Sequence, residues 1–167
     1  RPNKIMEHLE DKPIKLDKSK RKNKKDKEKL VMVSGGFDPL HLGHLLSFQA
    51  AKALGDKLIV VVDSDSYIEK KKGKVFLPLE DRVALIKELK CVDNVIVMGN
   101  GEDLGDAIVH IKPAVFAKGG DRNSLETIPL KEIEACNKVG CEIVFNVGGG
   151  KIRSSSELLK KWVESKV

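Results

Sequence analysis

The chain of 167 residues predicts an open five-stranded parallel α/β sheet with helices on both faces. Short β-branched runs alternate with helical periodicities from Leu30 onward. The second of those runs, Lys57 to Asp63 (KLIVVVD), is apolar almost throughout, as suits a parallel strand covered on both sides. Glycine-rich loops follow several strands, and in open parallel sheets ligands bind at those carboxyl ends.

Residues 1–29 read as a Lys-rich tail or linker, and residues 30–167 as one globular domain. The tail holds 12 Lys+Arg and 6 Asp+Glu, whereas the remaining 138 residues hold 19 of each. The net charge of +6 therefore belongs to the tail, and the folded body is neutral. With few apolar residues to bury, the tail reads as a linker or frayed helix rather than as a nucleic-acid or membrane contact. No apolar run approaches the roughly 18 residues of a membrane span, and no apolar stretch resembling a signal peptide is present. Cys91, Cys136 and Cys141 have no CxxC spacing, so they read as thiols suited to a reducing cytoplasm.

Within the domain, Leu30 to Val33 reads as the first strand, and His44 to Leu54 as a helix with Leu45, Phe48, Ala51 and Ala53 on its apolar stripe. Pro78 to Leu89 opens with proline and two acidic residues in its first turn, a favourable helix start. Asn94 to Met98, Ala114 to Lys118 and Glu142 to Asn146 complete the strands. Leu104 to Ile111, Leu130 to Val139 and Ser154 to Val163 complete five helices. The segment Lys70-Lys71-Lys72-Gly73-Lys74 reads as a basic loop after the second strand, either solvated or clamping phosphate.

The loop after the first strand, Ser34-Gly35-Gly36-Phe37-Asp38-Pro39-Leu40-His41-Leu42-Gly43-His44, is the most informative. Two histidines three residues apart at a helix mouth share a face. Free amides and the dipole at that mouth attract anions, so the pair reads as a phosphate cage.

This loop resembles the G-x-F-D-x-x-H-x-G-H segment of the cytidylyltransferase-like nucleotidyltransferases, supplied here by Gly36, Phe37, Asp38, His41, Gly43 and His44. The resemblance extends from Leu30 to about Leu159 and implies a Rossmann-like fold. It implies that His41 and His44 are catalytic, holding the triphosphate and the pentavalent transition state, with Lys71 and Lys74 assisting. It implies nucleotide contacts from Gly36, Phe37 and Gly43. Lys90 stands in Lys90-Cys91-Val92-Asp93-Asn94-Val95, which resembles the family's basic-x-V-D-x-V signature, and is expected near the nucleotide. Asp38, Asp65 and Lys71 are expected to face the acceptor, and Pro78-x-x-x-x-Arg82 fits the family with a structural arginine.

Lys118-Gly119-Gly120-Asp121 resembles the heptose-1-phosphate adenylyltransferases more than the glycerol-3-phosphate cytidylyltransferases, which favours ATP over CTP. Arg153, Ser154, Ser155 and Ser156 resemble the I-S-S-S motif that holds the triphosphate. One departure stands here: Gly149 occupies the place of a family arginine, a charge that Lys151 or Arg153 would replace. The implied enzyme moves AMP, or CMP, from the nucleoside triphosphate to a phosphorylated acceptor, with a sugar phosphate favoured, and releases pyrophosphate. Mg²⁺ is expected to accompany the ATP or CTP with few protein ligands. Homodimerisation is the assembly that the family suggests. The alternatives are an FMN adenylyltransferase resembling FAD synthetases and a non-catalytic nucleotide- or RNA-binding module.

Overall fold

The computed structural model describes residues 27–99, 101–120 and 122–166. Most of the Lys-rich tail, through residue 26, and Asp121 lie outside the described residues. Five strands form one all-parallel sheet: β1 (Leu30–Gly35), β2 (Lys57–Val62), β3 (Asn94–Val97), β4 (Val115–Ala117) and β5 (Glu142–Val144). Their order is β3-β2-β1-β4-β5, with Leu30 opposite Lys57 and Val31 opposite Val115. Adjacent connections run outward in opposite directions from β1, so the order reverses between β1 and β4. The fold is Rossmann-like, as the alternation of elements predicts.

Side-chain alternation along the strands builds a core on each face. Val31, Val33, Leu58, Val60 and Val62 pack with Phe48 and Ala51 of α1 (Leu42–Lys52) and with Val83 and Ile86 of α3 (Leu79–Lys87). Met32, Val61 and Phe116 face the other way, onto Ile108 of α4 (Leu104–Ile111) and Ala135 and Cys136 of α5 (Leu130–Val139). Helices therefore cover both faces. Burying a side chain of this size contributes about 1.5–3 kcal/mol, which explains why every residue from Leu58 to Val62 is apolar.

One expectation is corrected. The Lys-rich segment after β2 belongs to a helix, α2 (Asp65–Lys72), and not to a loop. Ser64 caps it by accepting from the Tyr67 amide at 3.2 Å. Lys70, Lys71 and Lys72 fill its last turn, where cations complement the helix dipole, and Gly73 closes it at φ 86°. The expected five helices become six among the described residues. The last, α6 (Ser155–Glu164), keeps its N-cap Ser154 as expected but buries none of its residues. No helix among the described residues is long and apolar enough to cross a membrane.

Candidate active site

The chain turns sharply where β1 ends. Phe37 adopts φ 54°, and the Asp38–Pro39 peptide is cis. Phe37 is buried edge-on against His44 and Phe48, with ring centroids 5.0 Å apart in each case. It thereby supports the back of the second histidine. His41 is the N-cap of α1, and its backbone amide donates to His44 Nδ1 at 3.2 Å. An Nδ1 that accepts leaves Nε2 to carry the proton of the neutral ring. The two imidazoles stack with centroids 3.7 Å apart and planes 18° apart. The expected pairing of the histidines at a helix mouth is thus present as a stacked pair.

Gly43 makes the stack possible. A Cβ there would stand 2.9 Å from His41 Cε1, closer than carbon atoms tolerate. The residue between the histidines is small because the first ring lies across its backbone.

A cleft of about 260 Å³ opens in front of the pair. Three loops at the carboxyl ends of the strands wall it. His41, Gly43, His44 and Ser47 come from the β1–α1 turn and the start of α1, and Gly119 and Gly120 follow β4. Residues 147–156, between β5 and α6, supply the third wall. The last two loops nearly touch, because a Cβ on Gly120 would lie 2.1 Å from the Gly149 carbonyl oxygen. Only glycine permits that backbone approach. At the other rim, Ser155 Oγ donates to the Pro39 carbonyl at 2.8 Å and ties the serine loop to the histidine turn. Arg153, Ser154, Ser155 and Ser156 all line the cleft, together with Gly43, Gly119 and Gly120.

Lys72, Lys151 and Arg153 are the charged residues of that lining, and no carboxylate joins them among the described residues. Their field reaches both rings. Burial, then Arg153 and Lys151, hold His41 below the usual histidine range. Burial, the neighbouring His41, Lys72 and Lys151 push His44 down to about 3. Both imidazoles are therefore neutral near pH 7, in a site of positive potential. That is the electrostatic form of a pocket for a polyanion.

Other expected site residues stand differently. Lys72, rather than Lys71 or Lys74, reaches the cleft. Lys71 sits close enough to Asp63 to oppose the upward push of burial on that carboxyl, and Lys74 lies exposed beyond the helix cap. Gly36 lends its carbonyl to Arg82 at 2.8 Å. Asp38 is buried, and its two oxygens accept from the Phe76 and Leu77 amides at 2.8 and 2.6 Å. Asp65 is bound by Arg82 at 2.6 Å yet stays 44% exposed. Lys118 points inward, 2.8 Å from Glu132 and 4.1 Å from the centre of the Phe116 ring. Lys90 is the clear misplacement. It follows α3 on the approach to β3, beside Asp93, whose carboxylate holds the Leu58 amide at the amino end of β2. It is not among the residues that line the cleft.

Sequence reasoning missed Lys72 and the cleft-facing role of Ser47, whose hydroxyl donates to the Val147 carbonyl at 3.2 Å. The cap signals of Ser64 and Gly73 mark a helix here, but they do not say which of its lysines reaches the cleft.

Comparison with known proteins follows the same lines. The Cytidylyltransferase-like family profile matches residues 32–155, from within β1 to the first residue of α6. FAD synthase of Pyrococcus horikoshii is 40% identical over 99 residues, which cover 59% of this chain and 67% of that protein. The bifunctional protein HldE of Helicobacter pylori is 36% identical over 126 residues, 74% of this chain but 27% of that protein. A solved structure, the lipopolysaccharide core biosynthesis protein from Thermoplasma volcanium, superposes with a TM-score of 0.60 at 33% identity. That match covers 72% of this chain and 95% of the other. The chain thus spans about two thirds of the first relative's length and about a quarter of the second's.

Proposed function

We infer the reaction from one premise: the chain belongs to the cytidylyltransferase-like family of nucleotidyltransferases. It transfers AMP from ATP, in preference to CMP from CTP, onto a phosphorylated small molecule in the cytoplasm, and pyrophosphate leaves. A sugar phosphate is the acceptor we favour. The observation that carries the reading is the stacked pair of histidines facing a cleft whose charged lining, among the described residues, is Lys72, Lys151 and Arg153.

Chemistry follows from that placement. An oxygen of the acceptor phosphate attacks the α-phosphorus in line and forms the new P–O bond. The bond to the bridging oxygen breaks, and pyrophosphate departs with its electrons. No protein nucleophile is required, so catalysis is positioning and charge stabilisation. His44 offers Nε2–H to an α-phosphate oxygen, and His41 lies beside it over the N-terminus of α1. Lys72, Lys151, Arg153 and the serine loop hold the β- and γ-phosphates. Gly119 and Gly120 bring backbone against the nucleoside. Asp65, through its exposed oxygen, and Lys71 are the proposed acceptor contacts, with Lys74 adding charge at the rim. Asp38 acts by fixing the Phe76–Leu77 turn, and Lys90 takes no part.

Among the described residues the cleft's donors are imidazole, ammonium, guanidinium and hydroxyl groups, a poor seat for a hard dication that prefers carboxylate and water oxygens. Mg²⁺ would accordingly belong to the ATP substrate rather than to protein ligands, and would supply charge neutralisation there. The relative named FAD synthase supports FMN as the second acceptor reading.

Pyrophosphate release tests all of this, with ATP and CTP crossed against heptose 1-phosphate, other sugar phosphates, glycerol 3-phosphate and FMN. Turnover with ATP and one sugar phosphate is the expected result. His44→Ala should then lower kcat at least about 100-fold, the scale of losing a transition-state donor, while the thermal midpoint holds. Near-normal kcat in that variant, or no turnover while ATP binds, overturns the assignment.

A further inference from the structure

Lys118 is the first residue after β4, and Gly119 and Gly120 beside it wall the cleft. Its own side chain is not part of that lining and runs into the protein. The ammonium lies 2.8 Å from Glu132, with the two side chains 12% and 11% exposed, and 4.1 Å from the centre of the buried Phe116 ring. The backbone of Lys118 is held by β5 and the loop after it. Its amide donates to the Val144 carbonyl at 2.8 Å, and its carbonyl accepts from the Val147 amide at 2.9 Å. Val147 belongs to the third wall of the cleft. Glu132 lies in the first turn of α5, so one residue joins both glycine-rich walls to that helix. Lys118 and Glu132 also bracket the connection from β4 to α5, and their contact closes its base.

Stability is a poor reason for such a pair. Burial disfavours the ammonium and pulls its pKa down, against which the Glu132 carboxylate works. Taking both charges out of water costs much of what their attraction returns, and apolar residues of similar volume often hold such a site as well. What the pair adds is direction. A carboxylate at the head of a helix and the face of an aromatic ring define one position for the ammonium. Through its stem they define the point from which Gly119 departs. The glycines that follow have no side chains to hold them in place. Gly120 nevertheless passes so close to Gly149 that a Cβ would lie 2.1 Å from its carbonyl oxygen. Backbone held at that separation needs an anchor next to it, and Lys118 is the adjacent residue with one.

We propose that the Lys118–Glu132 ion pair is a positioning clasp, which sets the Gly119–Gly120 backbone against the facing loop and so fixes the fit of the nucleoside without touching it. The proposal rests on the transferase reading for the identity of the bound nucleotide.

Three variants of the full chain separate a clasp from an ion pair that only holds the fold. Glu132→Gln leaves the buried ammonium unpaired, and Lys118→Met removes it. Lys118→Met combined with Glu132→Leu replaces the pair by apolar groups of similar volume. Titration calorimetry reads the ATP Kd, scanning calorimetry the thermal midpoint, and pyrophosphate release kcat and KM. Each single variant should lower the midpoint, and the double variant should restore it. In all three the ATP Kd and KM should stay raised at least about tenfold, with kcat at saturating ATP changed less than about threefold. A double variant that regains midpoint and ATP affinity together, or one that stays destabilised, would make the pair structural and overturn the clasp. Single variants that bind ATP as the unaltered chain does would overturn it too. A raised Kd in all three, without pyrophosphate release by the unaltered chain from any substrate pair, would keep the clasp and remove the transferase. Normal turnover with an unchanged ATP Kd would do the reverse.

Discussion

The histidine stack sets two tests at the scale of single residues. Gly43 carries the His41 ring across its backbone, so Gly43→Ala must push the ring away or tilt the first turn of α1. Turnover should fall about 10- to 100-fold, the cost of misplacing a group by an ångström, and circular dichroism should be unchanged. The second test concerns protons. His44 titrates near 3 in the folded chain against about 6.5 unfolded, so between those values the unfolded state binds one more proton. Stability contributed by the neutral ring is complete above pH 6.5 and drains away as pH falls towards 3, by up to about 1.4 kcal/mol per pH unit. His44→Gln should flatten the acid limb of the midpoint-against-pH curve. A bound triphosphate reverses the local field and pulls the pKa of both rings upward, so ATP binding near pH 6 should take up protons. Calorimetry in buffers of different ionisation enthalpy reads that uptake directly. A binding heat that ignores the buffer would contradict the polyanion site.

Among the elements, α2 decides which lysine matters. A loop would have left Lys71, Lys72 and Lys74 interchangeable, whereas the helix gives Lys71 and Lys72 separate directions and ends before Lys74. Lys72→Gln should raise the ATP KM about tenfold, and Lys74→Gln should change it less than twofold; pyrophosphate-release kinetics for the pair check the ranking. The signals for the helix were in the sequence: a serine cap, an acidic first residue, lysines in the last turn and a glycine after it. Four adjacent charges hid them, because a run so polar shows no apolar stripe. The strands were easier to read. Parallel strands covered on both faces are uniformly apolar, and no competing pattern imitates Lys57–Val62.

For the whole molecule, Arg82 is the joint. Its buried guanidinium donates to the carbonyls of Leu77, Gly36 and Asp63 and to the Asp65 carboxylate. One side chain therefore fastens the histidine turn, the end of β2, the start of α2 and the approach to α3. Arg82→Met keeps the volume but leaves those carbonyls without a donor, at a cost of about 3–5 kcal/mol, or roughly 10 °C in the thermal midpoint. Differential scanning calorimetry measures it, and loss of activity should accompany the shift because Gly36 and α2 loosen together.

Local patterning by itself determined the parallel α/β sheet, the histidine pair at a helix mouth, the serine cap of α6 and the neutrality of the folded body. Each is written in neighbouring residues, through side-chain period, cap chemistry or charge. Only the tertiary structure decided that Lys72 enters the cleft, that Lys118 turns inward to Glu132, that Asp38 is consumed by two amides, and that Lys90 lies at the far end of the sheet. Those outcomes depend on which loops the sheet brings to one edge and on where a long side chain finds its partner. Nothing in a run of residues encodes the distance to a partner dozens of positions away.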